Sequence, residues 1–222
     1  MFAKILLLSL VAVTANAQIA GLSSYSGNGC PQGSIASTQT DDGSIISILF
    51  DSFKAETAAN KNYALSTCLM NIAVDVPEGY RIAKADAVQN GFYSVPKGSW
   101  GRMMTELYLR GAGGRMVMQT YNYRDFHNDF MDNVTLETSA EAKADNNCSE
   151  RRQNLQIRSS ISLWTARNQT QYAGGVIDSV DLTLSSLTPS MYSVVFEKCK
   201  VKPQPPRRPP FPRFPWNRYQ EQ

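Results

Sequence analysis

The chain has 222 residues, with 22 Lys+Arg, 19 Asp+Glu, one His and four Cys, and 42% of it is hydrophobic. A length under about 250 residues favours a single core. After residue 17 no apolar run approaches the roughly 18 residues that cross a bilayer as a helix, which excludes a multipass helical membrane protein, and the aromatic and β-branched content excludes a wholly disordered chain.

Residues 1–17 read as a secretory signal peptide. Lys4 supplies the basic start, Ile5 to Val13 the short apolar stretch and Ala15-Asn16-Ala17 the small-x-small cleavage site, so the mature protein is expected to begin at Gln18. Residues 18–29, rich in Gly and Ser, are expected as a flexible lead-in, and residues 30–199 as the folded domain. Within it period-2 alternation dominates: Cys68, Met70, Ile72, Val74 and Val76 share one face, and Leu155, Ile157, Ile161 and Leu163 lie opposite Asn154, Gln156, Arg158 and Ser162. Further strands are expected over 34–39, 44–50, 80–87, 103–110, 115–123, 176–184 and 192–199. Between them stand Asp42-Gly43, Pro77-Glu78-Gly79, Asn90-Gly91, Pro96-Lys97-Gly98, Gly111 to Gly114 and Thr188-Pro189-Ser190, read as turns. Phe53 to Leu65 reads as a loop with a short helix, and Met131 to Asn147 as a polar connection with helix formers at Ala140 to Ala144. The expected fold is all-β, an antiparallel two-sheet sandwich of jelly-roll type.

In a secreted chain, Cys30, Cys68, Cys148 and Cys199 read as two disulfides, because there is no C-x-x-C pair and the lone His is far from any Cys. Three pairings are open. Cys30–Cys68 with Cys148–Cys199 is the expected one, since Cys199 ends one strand and Cys148 stands just before another. No metal or other cofactor is expected.

A Ser/His/acid triad would have to use His127, which lies in an aromatic, polar segment without a nucleophile elbow, so no catalytic residue is assigned. Asp125, Asp129 and Asp132, with Tyr123, form a candidate glycan or calcium loop, although the EF-hand pattern is absent. Asn133, Asn147 and Asn168 open Asn-x-Ser/Thr triplets, relevant only to a eukaryotic secretory route.

Residues 200–222 carry seven of the 11 prolines and six Lys/Arg against one Glu, a local charge of +5 that leaves the body from 18 to 199 at −3. Such a segment favours polyproline II and displays Arg207, Arg208, Phe211, Arg213, Phe214, Trp216 and Arg218 as a cationic, aromatic arm. It resembles the proline- and arginine-rich antimicrobial peptides in composition.

The body resembles a secreted family catalogued as domain of unknown function 4360. The matching residues are Gly29-Cys30-Pro31-Gln32-Gly33-Ser34, Phe50-Asp51-Ser52-Phe53, Cys68-Leu69-Met70-Asn71-Ile72, Val76-Pro77-Glu78-Gly79-Tyr80, Cys148 with Asn154-Leu155, and Asp178-Ser179 with Phe196-Glu197-Lys198-Cys199. The resemblance implies secretion and a β-rich fold, and carries over no activity or site. The functional expectation is a secreted, non-enzymatic monomer that meets an anionic envelope polymer or lipid surface through its tail, with no nucleic acid as partner. The alternatives are a glycan-binding domain, a secreted carbohydrate-active hydrolase, or antimicrobial action of the tail.

Overall fold

The computed structural model describes residues 18–41, 43–110, 116–142, 151–167, 170–183 and 195–199. In chain order the strands are β1 (Gln18–Ser26), β2 (Ile35–Gln39), β3 (Ile45–Phe50), β4 (Lys54–Glu56), β5 (Tyr63–Asp75), β6 (Tyr80–Val95), β7 (Ser99–Arg110), β8 (Met116–His127), β9 (Phe130–Glu141), β10 (Arg152–Thr165), β11 (Gly174–Thr183) and β12 (Val195–Lys198). Among the described residues there is no helix. The strands form two antiparallel sheets: a five-stranded one in the order β1-β5-β10-β7-β8, and a seven-stranded one running β12-β6-β11-β3-β2, with β9 on β6 and β4 on β11.

Alternation explains why the sheets face each other. Cys68, Met70, Ile72 and Val74 of β5 and Leu155, Ile157, Ile161 and Leu163 of β10 are all buried, and they meet Ile46 and Ile48 of β3 and Ile177, Val180 and Leu182 of β11 in one core. Each such side chain contributes about 1.5–3 kcal/mol on leaving water. At one end of the core Tyr93 stacks on Phe126 at 4.5 Å and Phe126 meets Phe130 at 4.7 Å, which ties β6, β8 and β9 together across the two sheets. The Cys30–Cys68 disulfide is present, with Cα atoms 5.4 Å apart and both residues buried. Gly27 enters that bridge with φ at 141°, and a Cβ there would lie 2.1 Å from the Thr67 carbonyl oxygen, so only glycine lets the chain cross β5 this closely. Cys199 is not a free thiol. Its expected partner Cys148 lies outside the described residues, as do the signal peptide, the turns over 111–114 and 188–190, Asn147, Asn168 and the whole tail.

Four expectations need correction. The segment from Gln18 to Ser26 is no flexible lead-in: it is β1, paired along β5 with Ile19 fully buried and Leu22 and Tyr25 against the core. Register shifts between Ile19 and Gly21 and between Leu22 and Ser24 break its alternation, which is why no period shows in the sequence. The stretch from Phe53 to Leu65 holds no helix; Phe53 is buried, β4 follows, Ala58 and Lys61 close a turn on each other, and β5 starts at Tyr63. Residues 130–141 are strand β9, whose Val134, Leu136, Thr138 and Ala140 point inward, so pairing with β6 outweighs the helix propensity of its Ala and Glu residues. Finally, Asn90-Gly91 makes no turn. It sits within β6 opposite a bulge of β11 between Ile177 and Ser179, and a Cβ on Gly91 would come within 2.2 Å of the Val176 carbonyl oxygen.

Candidate functional site

The outer face of the five-stranded sheet gathers aromatic and charged side chains. Trp164 of β10 is paired with Tyr63 of β5 on one side and with Trp100 of β7 on the other, and Trp100 is paired with His127 at the end of β8. Residues in register on neighbouring strands point to the same side, so Tyr63, Trp164 and Trp100 form a row of rings across three strands. Tyr63 is 48% exposed and Trp164 42%. Ser162 and Arg102 stand two residues along from Trp164 and Trp100, with Asp125 opposite Arg102.

Arg102 is the organising group. Its Nε and a terminal amine donate to the two Asp125 carboxylate oxygens at 2.6 and 2.9 Å, a bidentate pair, while the guanidinium lies 4.2 Å from the Tyr123 ring centroid and 5.2 Å from that of Trp100. The rings and the carboxylate therefore hold one another through a planar cation. The hydrogen bond from Arg102 is the main cause that lowers the Asp125 carboxyl below the ordinary carboxylate range, and the same bond raises the guanidinium further. Farther along the face Tyr108 donates to Glu106, which also accepts from Arg158 at 3.1 Å. Burial, then that bond to Glu106, pushes the Tyr108 hydroxyl up to about 12.

These shifts fix a pH window. A carboxyl whose folded pKa is lowered stabilises the fold fully above its unfolded value of about 4 and loses that contribution as pH falls through the lower folded value. A phenol raised to about 12 contributes fully below its ordinary value near 10 and loses it as pH rises through about 12. Tryptophan fluorescence, to which Trp100 beneath Arg102 contributes, is therefore expected to change in acid, below about pH 4, as Asp125 lets go of Arg102, and Asp125→Asn should remove that change. A transition centred near neutrality would show that another group controls the face.

The residues expected to form a glycan or calcium loop are dispersed. Tyr123 and Asp125 lie in β8 on the face just described. Asp129 belongs to the two-residue turn between β8 and β9, where Asn128 and Asp129 take positive φ of 39° and 62°. Its carboxylate accepts from the Lys97 amide at 2.9 Å, and the Asn128 side-chain oxygen accepts from the Gly98 amide at 3.1 Å, so this turn clips the neighbouring β6–β7 turn. Asp132 lies on β9, in the other sheet, opposite Tyr93. Among the described residues no group of three or more His, Cys, Asp or Glu side chains is placed to hold a metal ion. His127 is exposed at the end of β8, on the aromatic face. Asn133 is exposed on β9.

Trp100, Trp164, Tyr63 and Arg102 carry the face and escaped the sequence reading. The signal was there: alternation that puts Leu155 to Leu163 inside and Asn154 to Ser162 outside, continued by one step, places Trp164 on the polar side. A large apolar ring on a polar strand face marks a contact surface. Two recesses of about 480 and 450 Å³ flank Tyr172 nearby; the first is lined by Asn62, Thr165 and Arg167 among others, and the second by Asp129 and Met131.

A family model described as Domain of unknown function (DUF4360) matches residues 15–199. The chain belongs to that family. A relative from Arthroderma benhamiae, named as an uncharacterized secreted protein, is 28% identical over 89 residues, which cover 39% of this chain and 36% of that protein. Together with a buried disulfide, which persists only in an oxidising compartment, this marks the protein as secreted. Among solved structures, the module TmCBM61 in complex with β-1,4-galactotriose aligns at 12% identity and a TM-score of 0.28, covering 76% of this chain and 91% of the module. The mannan-recognising module TmCBM27 aligns at 9% and 0.30, covering 77% and 90%. Both scores are under 0.5, so the likeness does not extend to individual positions.

Proposed function

We propose that this secreted DUF4360 protein is a glycan-binding β-sandwich that holds carbohydrate on the outer face of its five-stranded sheet. The observation that carries the reading is the row Tyr63–Trp164–Trp100 beside the Arg102–Asp125 pair. The exposed rings of Tyr63 and Trp164, continued by half-buried Trp100, offer C–H-bearing sugar faces an apolar contact, and a fixed donor and acceptor set beside them meets the hydroxyl rim. The strand order supports a jelly-roll winding, with β3-β11-β6-β9 set against β5-β10-β7-β8.

Binding without hydrolysis is the form of the reading that the carboxylates favour. Glu106 and Asp125 are the acids nearest the middle of β7 and β8, and each is already held by an arginine. Their register places them four residues apart along the strands, about 13 Å. Glycoside hydrolases set their two carboxyl groups about 5 to 9.5 Å apart across the scissile bond. The cationic arm over residues 200–222 is a separate element, which we assign to weak contact with anionic envelope polymer. A contact carried by its six Lys and Arg would weaken as salt rises.

The test is retention of the mature protein on insoluble polysaccharides and cell-wall preparations, with reducing ends measured on whatever is retained. Retention without release of sugar is expected. Replacing Arg207, Arg208, Arg213 and Arg218 by Gln should remove the salt-sensitive part of retention on anionic walls and leave the melting temperature of the body unchanged. Turnover of a retained glycan would make the protein a hydrolase, and loss of all retention with the tail change alone would move the binding site from the sheet to the arm.

A further inference from the structure

Resting on the glycan reading, we propose that the face takes a neutral polysaccharide, laid across the strands along Tyr63, Trp164 and Trp100, with Arg102 and Asp125 as its hydrogen-bonding pair.

The direction follows from register. The three rings are consecutive in one row across β5, β10 and β7, about 4.8 Å apart at the backbone. Moving along β5, β10 and β7 instead, the next outward residues are Leu65, Ser162 and Arg102, so on these three strands the rings line up across the sheet, and on the neighbouring β8 the outward Tyr123 and Tyr121 continue the aromatic surface as a stacked pair 6.4 Å apart. A chain on that track has Ser162, Arg102 and Asp125 along one flank.

The chemical class follows from how the charges are already used. An acidic sugar needs a cation whose hydrogen bonds are open to it. Arg102, the cation beside the track, spends two N–H groups on Asp125 and both ring contacts on Trp100 and Tyr123. Arg158 is bound to Glu106, and Arg152 stands 3.8 Å from Asp75 at the far end of β10. Paired in this way, Arg102 and Asp125 cancel as charges yet keep remaining N–H donors and carboxylate lone pairs, which is what a sugar hydroxyl uses, since it both donates and accepts. The competing cations are Arg167, exposed and lining the recess beyond the row with Asn62 and Thr165, and Lys61, exposed two residues before Tyr63.

The experiment uses the mature full-length chain carrying the four tail Arg→Gln changes, so that the arm does not capture acidic polymers. Calorimetric titration compares neutral β-linked glucan, mannan and galactan oligosaccharides of increasing length with oligogalacturonate and a sulfated glycan, at low and at physiological salt. A neutral oligosaccharide is expected to bind with salt-independent affinity that climbs with chain length until the three rings are covered. Asp125→Asn and Arg102→Gln should each weaken it about tenfold or more, the scale of a hydrogen bond to a charged group. Arg167→Gln should leave it unchanged, with melting temperatures confirming that all three variants fold. Binding confined to acidic chains, falling with salt and lost in Arg167→Gln, overturns the neutral assignment; if Trp164→Ala weakens that binding as well, the sheet remains the glycan site, and if it does not, the site lies in the recess and the reading of the sheet falls with it. If no oligosaccharide of either class binds, the glycan reading itself is wrong.

Discussion

Cys68→Ala is expected to lower the stability of the protein by about 4 kcal/mol. The Cys30–Cys68 bridge closes a 38-residue separation, and the chain-entropy relation for a loop of that length gives about 4 kcal/mol at 25 °C. The bridge does more than shorten a loop. Cys68 is fully buried in the middle of β5, and Cys30 reaches it through the turn at Gly27, so the bond anchors the start of the fold to the sheet that carries the aromatic face. At about 2–4 °C per kcal/mol for a domain of this size, the melting temperature should fall by roughly 8–16 °C. The double variant Cys30→Ala, Cys68→Ala should melt close to the single one, because the lost constraint is the same. A drop of only a degree or two in either would mean that packing around β1 and β5 already holds the segment, and that the disulfide adds little.

How much of this molecule could be read from its sequence depended on regularity. β5 and β10 announce themselves because every second side chain enters the core without interruption from Cys68 to Val74 and from Leu155 to Leu163. β1 stayed hidden because two register shifts scramble its period, and β6 was cut short because Asn90-Gly91, a strong turn signal in isolation, serves a bulge in the partner strand instead. β9 was hidden by composition, its outward residues after Met131 being Asn, Thr, Glu and Ser, which suit a solvated edge as well as a loop. For the site, the aromatic, acidic segment does hold Tyr123 and Asp125, but its residues do not stay together as one loop. Sequence neighbours such as Asp129 and Asp132 go to a turn and to the opposite sheet, while the partner of Asp125, Arg102, comes from β7. Register across strands is set by the whole fold, and no local pattern contains it.

Trp164→Ala is expected to weaken glycan binding by about 2 kcal/mol, roughly 30-fold in Kd, with little change in stability. The two effects separate because of where the ring stands. Trp164 occupies the centre of the row, flanked by Tyr63 and Trp100 in register, so a sugar chain crossing the strands cannot avoid it. Its neighbours in sequence, Leu163 and Thr165, are buried and hold β10 in place whatever side chain projects between them. With 42% of its surface exposed, the ring gives up little core contact on removal. Trp100→Ala should cost as much in binding and more in stability, since Arg102 lies over that ring and would lose one of its two stacking partners. Trp164→Phe should recover most of the affinity, because a flat apolar ring is what the contact requires. The measurement is titration of each variant with the oligosaccharide that binds the intact protein, beside its thermal melt. Binding by Trp164→Ala as tight as that of the intact protein would remove the row from the binding surface, and an early melt in Trp164→Ala would mean that the ring is part of the fold's support.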